Sequence, residues 1–236
     1  MSKTVLITGV TKGIGKALAE LFAEEGFNIA GCARNEKELN EFKAELWNKY
    51  ENQRFLFASV DVSDKVAVQA FASDVLAEFE RIDILINNAG VFIPGTILGE
   101  DDGSFEKQVN TNLASAYHLT REIVPSMKNR KYGYVFNICS TASIKAYPNG
   151  GSYCISKYAM LGMTKVLREE LKEHNVKVTA VMPGATLTDS WKGTDLPETR
   201  FIKPQDVAET IWGVFCLSGN TVVEEIVIRP QLGDLG

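Results

Sequence analysis

The stretch Thr4-Val-Leu-Ile-Thr8-Gly9-Val-Thr11-Lys12-Gly13-Ile14-Gly15-Lys-Ala-Leu-Ala-Glu-Leu-Phe22 decides how the rest of the chain is read. Its first residues form a short β-rich run, and from Ile14 onward apolar residues recur at helical spacing. Gly9, Gly13 and Gly15 stand between the two. Glycines at a strand-to-helix turn let the backbone approach a pyrophosphate, with helix amides and the positive dipole end aimed at it. Such a turn in the first βα unit predicts a phosphate cradle; the bland alternative is a glycine-rich turn that merely packs.

Working outward, strands alternate with helices. Residues 27–33, 54–60, 82–86, 134–139, 176–181 and 225–229 read as further strands, most of them apolar enough to be buried on both faces. Helices are expected over 37–50, from Ser63-Asp64 to about Glu80, from Gly103-Ser104 to about Lys131 with an interruption at Pro125, from Ser152 to about His174, and onward from Pro204. Pro230 to Gly236 should trail off. No repeat, linker or low-complexity stretch divides the chain, so residues 1–236 read as a single α/β domain. The expected architecture is a Rossmann-type, doubly wound parallel sheet of about seven strands, helices on both faces. Ligands should then sit at the carboxyl ends of the strands.

Those ends carry the chain's unusual residues. An acidic residue after the second strand would bond the adenosine ribose hydroxyl of NAD. This chain has Ala33-Arg34-Asn35 there, and Lys12 lies inside the glycine turn. Two cations predict a 2′-phosphate, hence NADPH/NADP+ in preference to NADH; Arg34 as a solvated charge at a helix start is the alternative. Asp61-Val62 ends the third strand, where the carboxylate can reach an adenine amino group or cap the next helix. Asn87-Asn88-Ala89-Gly90 ends the fourth, where amides can tie loops together and glycine can admit a ribose; a simple turn is the other reading. Asn112 is a poor helix-interior residue and makes sense if its side chain or a local kink holds a water. Pro183-Gly184-Ala-Thr186-Leu-Thr188 forms the turn after the sixth strand.

The fifth strand leads into Ser140 and a Pro/Gly/Ser/Asn loop, and then a helix carrying Tyr153 and Lys157 four residues apart, on one face. Of the seven tyrosines, only Tyr153 has a lysine at that spacing. A phenol with a reference pKa of about 10 is a poor acid near neutrality, and a neighbouring ammonium favours the phenolate. Ser140 can hydrogen-bond a substrate oxygen as its charge changes. The trio suits proton transfer to a carbonyl oxygen while hydride arrives at carbon. On this stretch alone, an exposed helix pair beside an ordinary loop serine reads equally well.

Composition narrows the classes. Hydrophobic residues are 45% and charged residues 23%, which points away from disorder. No apolar run approaches the roughly 20 residues of a spanning helix. The chain passes from Met1-Ser-Lys straight into a strand, leaving no room for a signal peptide. A net charge of −5 without a basic patch makes nucleic acid and membrane surfaces poor partners. The four cysteines form no Cys-x-x-Cys and only two histidines are present, so no metal site is expected. Reduced thiols fit a cytoplasmic enzyme.

Taken in order, these motifs resemble those of the short-chain dehydrogenase/reductase family over nearly the whole chain. Thr8 to Gly15 matches the family's TGxxxGxG turn, Asn87 to Gly90 its NNAG motif, and Pro183-Gly184 with Thr188 its nicotinamide-contacting turn. Asn112, Ser140, Tyr153 and Lys157 match its catalytic tetrad, with the usual thirteen-residue step from serine to tyrosine. The resemblance implies a cofactor site built from Gly9, Thr11, Lys12, Gly13, Ile14, Gly15, Arg34, Asp61, Val62, Asn88, Ala89, Gly90, Tyr153, Lys157, Pro183, Gly184, Thr186 and Thr188. Tyr153 would be the general acid, Ser140 would position the carbonyl, Lys157 would bind the nicotinamide ribose and lower the tyrosine pKa, and Asn112 would hold a relay water. It also implies a homodimer or homotetramer built on the helices of Asn112 and Tyr153.

Two substrate classes remain open for this NADPH-dependent carbonyl reductase. The chain is similar to 3-oxoacyl-(acyl-carrier-protein) reductases, and Lys128, Arg130 and Lys131 could meet an acidic carrier. Its carboxyl end lacks their VDGG turn and, with Asp189-Ser-Trp191, is similar instead to bacterial sepiapterin reductase-like proteins, which act on pterin-like vicinal dicarbonyls. Residues 188–203 should form a substrate lid, with Trp191 stacking on a flat ring or packing the lid. A protein that keeps the fold and senses NADP(H) without turnover is the alternative from another class.

Overall fold

In the computed structural model, which describes residues 2–191 and 193–235, the first strand becomes the middle of the sheet. β1 (Thr4–Thr8) is buried along its whole length, as a strand flanked on both edges and covered on both faces must be. It pairs in parallel with β2 (Asn28–Ala33) on one side and β4 (Ile84–Asn87) on the other. With β3 (Phe55–Ser59), β5 (Gly133–Ile138), β6 (Val176–Pro183) and β7 (Glu225–Ile228) the order is β3-β2-β1-β4-β5-β6-β7, all parallel. The order reverses beside β1, which makes a crevice above its carboxyl end.

Alternate residues of β1 feed two cores. Val5 and Ile7 join Leu18 and Phe22 of α1 (Gly13–Glu24), Phe42 of α2 (Glu36–Lys49) and Ile211 of α7 (Pro204–Phe215). Leu6 faces the other way, toward Phe71 of α3 (Lys65–Glu78), Ile123 of α5 (Ser115–Arg130) and Leu171 of α6 (Gly151–Leu171). Each such side chain contributes roughly 1.5–3 kcal/mol by leaving water. Local chemistry sets the helix starts: Asp64 accepts from the Val66 amide at 2.8 Å, Asn35 accepts from Glu38 at 3.2 Å, and Pro204 opens α7.

Two expectations are corrected here. Pro125 does not interrupt its helix. Both Pro125 and Arg121, whose carbonyl loses its donor, are exposed, so solvent can serve that carbonyl and α5 runs through. The irregularity lies one element earlier, where a π-turn at Asn110–Ala114 joins α4 (Ser104–Val109) to α5; such turns concentrate at functional sites. Nor do the last residues trail off. The Gly233 amide donates to the Pro230 carbonyl at 2.8 Å and Arg229 pairs with Asp234, folding the tail back over the sheet. Among the described residues no helix is long and apolar enough to cross a membrane.

Candidate active site

A cleft of about 1210 Å³ opens at the carboxyl ends of the strands. Every residue expected in the site lines it except Gly15 and Asn112, and both exceptions have a structural reason. A Cβ on Gly15 would stand 2.0 Å from the Gly9 carbonyl oxygen and 2.6 Å from Asn88 Nδ2, so Gly15 lets α1 close onto the turn from behind. Asn88 locks the same turn, donating to the Thr8 and Gly9 carbonyls at 2.8 and 3.2 Å. The Thr8 hydroxyl accepts from the Asn88 and Ala89 amides at 3.0 and 2.9 Å. The amides of residues 87 and 88 thus tie loops together: Asn87 donates to Thr120 and Asn137.

Asn112 is buried, and its side chain is fully engaged. Oδ1 accepts from the Val91 amide at 2.7 Å, and Nδ2 donates to the Val91 carbonyl at 2.9 Å and to Ser156 Oγ at 3.0 Å. It clamps the loop after β4 to α6. The π-turn of Asn110–Ala114 carries it, and the neighbouring Thr111 lines the cleft.

At the end of β2 the two expected cations differ. Arg34 is exposed and forms no ion pair among the described residues. Lys12 sits 2.8 Å from the Glu38 carboxylate and 3.6 Å from Asp189, and the hydrogen bond to Glu38 holds its ammonium above the usual lysine range. Glu38 was invisible as a partner because it lies in the next helix. Asp61 does not cap α3; its carboxylate accepts from the Ser63 hydroxyl and amide at 2.7 and 3.0 Å, which holds it below the usual range, with Arg34 assisting.

On the cleft floor, the first turns of α6 bring Tyr153 and Lys157 up beside Ser140. Burial pushes the Tyr153 phenol up, opposed by its hydrogen bond with Ser140. Lys157 Nζ donates to the Ile138 carbonyl at 2.8 Å and lies 5.9 Å from the Tyr153 ring centroid. Burial also holds this ammonium below its usual range. In the chain by itself the largest influence on the phenol is its burial, and the ammonium is committed to a carbonyl.

The far wall holds residues that sequence reasoning missed. Phe92 meets the Tyr153 ring edge-on at 5.0 Å, and Tyr147, its hydroxyl raised by burial, lies on the same side. Tyr147 stood inside the loop before Tyr153 and could have been flagged; Phe92 carried no local signal. Asp234 and Leu235 of the tail also line the cleft, and Asp234 Oδ1 is a buried oxygen with no hydrogen-bond partner among the described residues. Trp191 is half-buried, tilted against Phe201 at 5.2 Å. The segment around it is anchored where the Leu187 amide donates to the Ile202 carbonyl and the Ile202 amide donates to the Ala185 carbonyl, both at 2.9 Å. Lys192, within the expected lid, lies outside the described residues.

Comparison with known proteins agrees with this geometry. The family model for short chain dehydrogenase matches residues 3–198. A sepiapterin reductase of Chlorobaculum tepidum is 31% identical over 100% of this chain and 99% of its own length. A 3-oxoacyl-(acyl-carrier-protein) reductase of Chlamydia trachomatis is 31% identical over 81% of this chain and 77% of its own. Among solved structures, an alcohol dehydrogenase from the archaeon Thermococcus sibiricus complexed with 5-hydroxy-NADP superposes with a TM-score of 0.91 at 25% identity, covering 100% of both chains. The L-sorbose reductase of Gluconobacter frateurii complexed with NADPH and L-sorbose gives 0.88 at 28%, covering 97% of this chain and 95% of its own. With its seven-stranded parallel sheet, glycine turn and serine–tyrosine–lysine floor, the chain belongs to the short-chain dehydrogenase family of oxidoreductases.

Proposed function

We propose that this protein reduces a ketone with NADPH, Tyr153 delivering the proton. The observation that carries the reading is the meeting of Ser140, Tyr153 and Lys157 on the floor of a cleft whose other half is a glycine-lined turn. The fit to NADPH rests on that turn, too tight for side chains, and on Arg34, without an ion-pair partner among the described residues, where a 2′-phosphate would lie. NADPH, when bound, supplies the hydride. The chain's own residues do the rest: Ser140 orients the carbonyl oxygen, Tyr153 gives that oxygen a proton, and Lys157 favours the resulting phenolate. Tyr153→Phe should lower turnover about 10²- to 10⁴-fold while NADPH affinity, read by fluorescence titration, stays put. Undiminished turnover would remove Tyr153 from the mechanism.

For substrate, a flat vicinal dicarbonyl of the pterin-like kind is favoured over a 3-oxoacyl thioester. Phe92, Tyr147 and Trp191 offer aromatic faces around the reacting position, and Asp234 Oδ1 offers an acceptor to a donor-bearing ring edge. The similarity to a sepiapterin reductase, which spans both chains, points the same way. The basic cluster does not serve a carrier-bound substrate. Lys128, Arg130 and Lys131 precede β5, at the strand amino ends and opposite the cleft, and Arg130 is engaged with Ser126 and the Ile82 carbonyl. NADPH consumption with an aromatic diketone and a 3-oxoacyl thioester in parallel decides: preference for the thioester would reverse this assignment. A homo-oligomer is part of the proposal, since Tyr117, Ile155, Tyr158 and Val166 leave apolar side chains exposed on α5 and α6; sedimentation as a monomer would sink it.

A further inference from the structure

The helix that carries Tyr153 begins without a cap of its own. Its N-cap is Gly150, which has no side chain to offer, and the first amides of a helix lack partners within it. The missing acceptor comes from 52 residues earlier: the Ser152 amide donates to Glu100 Oε1 at 2.7 Å, and the Ser152 hydroxyl donates to Glu100 Oε2. A carboxylate placed there also opposes the positive end of the helix dipole.

The surroundings are shaped to this carboxylate. A Cβ on Gly151 would stand 2.0 Å from Glu100 Oε1 and 2.7 Å from the Gly95 carbonyl, and one on Gly95 would stand 2.5 Å from Glu100 Cγ. Both positions are glycine, and the Gly95 amide donates to the Asn149 carbonyl at 3.0 Å, drawing the same loop onto the residues before α6. The loop therefore grips the catalytic helix at two adjacent points, Glu100 on Ser152 and Phe92 on Tyr153, the latter at 5.0 Å between rings. Ser152 is buried, so its bond to Glu100 is shielded from competing water.

We infer that Glu100 is a positioning residue for catalysis: acting through Ser152, it fixes the first turn of α6 and with it the aim of the Tyr153 hydroxyl. The inference rests on the reading of Tyr153 as proton donor. Misplacing a reacting group by about an ångström can cost on the order of 10²-fold in rate, so the effect should appear in kcat while the cofactor wall is untouched.

The test compares Glu100→Ala, Glu100→Gln and Tyr153→Phe as NADPH complexes turning over phenylpropanedione, with amide hydrogen exchange as a readout independent of turnover. Glu100→Ala should lower kcat about 10- to 100-fold, leave the NADPH Kd unchanged, and speed exchange at residues 151–154. Glu100→Gln keeps an acceptor for the Ser152 amide, so it should fold and recover most of kcat. It removes a negative charge held on the residue next to Tyr153, so the alkaline limb of its pH–rate profile should move to lower pH by roughly half a unit. A purely structural strut would not move that limb. Unchanged kcat and exchange in Glu100→Ala, a loss of NADPH affinity parallel to kcat, or an unmoved limb in Glu100→Gln overturns the inference. Turnover that survives Tyr153→Phe is a different failure, that of the proton-donor reading itself.

Discussion

On one wall of the cleft, Gly15 meets Gly9 and Asn88 across contacts that leave no room for a methyl group. On the other, the described part of residues 188–203 is held by backbone hydrogen bonds from Leu187 to Ile202 and from Ile202 to Ala185, by the Lys12–Asp189 pair and by Trp191 against Phe201, and most of the segment beyond Trp191 is exposed. The first wall is over-determined: turn, Asn88 side chain, Thr8 hydroxyl and helix start all demand one geometry. The second has few constraints and a larger share of apolar faces. A binding site for a constant group and a site for a variable one differ in this way, because rigidity reduces the cost of ordering on binding, whereas a loosely held segment can change residues without unfolding the sheet.

The contrast can be broken at its strongest point first. Gly15→Ala forces a methyl group into backbone, where nothing flexible can yield, and should cost at the upper end of the roughly 1–3 kcal/mol typical of overpacking or beyond it. Thermal melts should show a clear drop in Tm, and NADPH should no longer raise it. A normal Tm would mean that the turn is softer than its contacts suggest.

Next in size is the adenosine end. Arg34→Ala removes a cation with no ion-pair partner among the described residues and should weaken NADPH by about 10- to 100-fold, as expected for a charge-assisted hydrogen bond, with NADH unaffected. Lys12→Ala should do less, since Lys12 is already bound to Glu38 and Asp189. Equal losses for both cofactors, read from Kd values, would show that neither residue reads a 2′-phosphate.

On the looser wall, Trp191→Ala should raise the KM for an aromatic diketone by about tenfold, the scale of one lost ring contact, with Tm nearly unchanged. A large fall in Tm would recast Trp191 as a packing residue for Phe201.

On the floor between the walls the expected effect on stability is small. Lys157 is buried and its ammonium is held below the usual range by that burial, so the unfolded chain binds its proton more tightly than the folded one. The sign follows from linkage: Lys157 costs stability at neutral pH, and the cost fades as pH rises toward the ordinary lysine value of about 10.4. Lys157→Met should therefore end turnover yet raise Tm slightly, the gain shrinking in alkaline buffer. A Tm that falls would mean that the bond to the Ile138 carbonyl outweighs the burial.

The legibility of the chain divides along a related line. Whatever depends on neighbours in sequence could be read: the glycine turn, the cap at Asp64, the shared face of Tyr153 and Lys157, the alternation that makes the sheet. What depends on a distant partner could not. Nothing near Lys12 announces Glu38, nothing near Asn112 announces Val91 and Ser156, and Glu100 looks like any loop carboxylate until the fold sets it on Ser152. The burial of the phenol was not legible for the same reason, since desolvation is a property of everything packed around a group and not of the residue four positions away. Pro125 was misplaced as an interruption because exposure of its turn, which makes the lost bond tolerable, is also a tertiary property.

The returning tail has a practical consequence for anyone handling the protein. Asp234 and Leu235 line the cleft, and Pro230 lies so close to Gly184 that a Cβ there would be 3.2 Å from the proline ring. A bulky label attached at Leu235 would stand at the mouth of the site and compete with substrate for it. Ser2 and Lys3 lead into the amino end of the central strand, separated from the cleft by the five residues of β1, a span of about 17 Å at 3.3 Å per residue. Labels belong there.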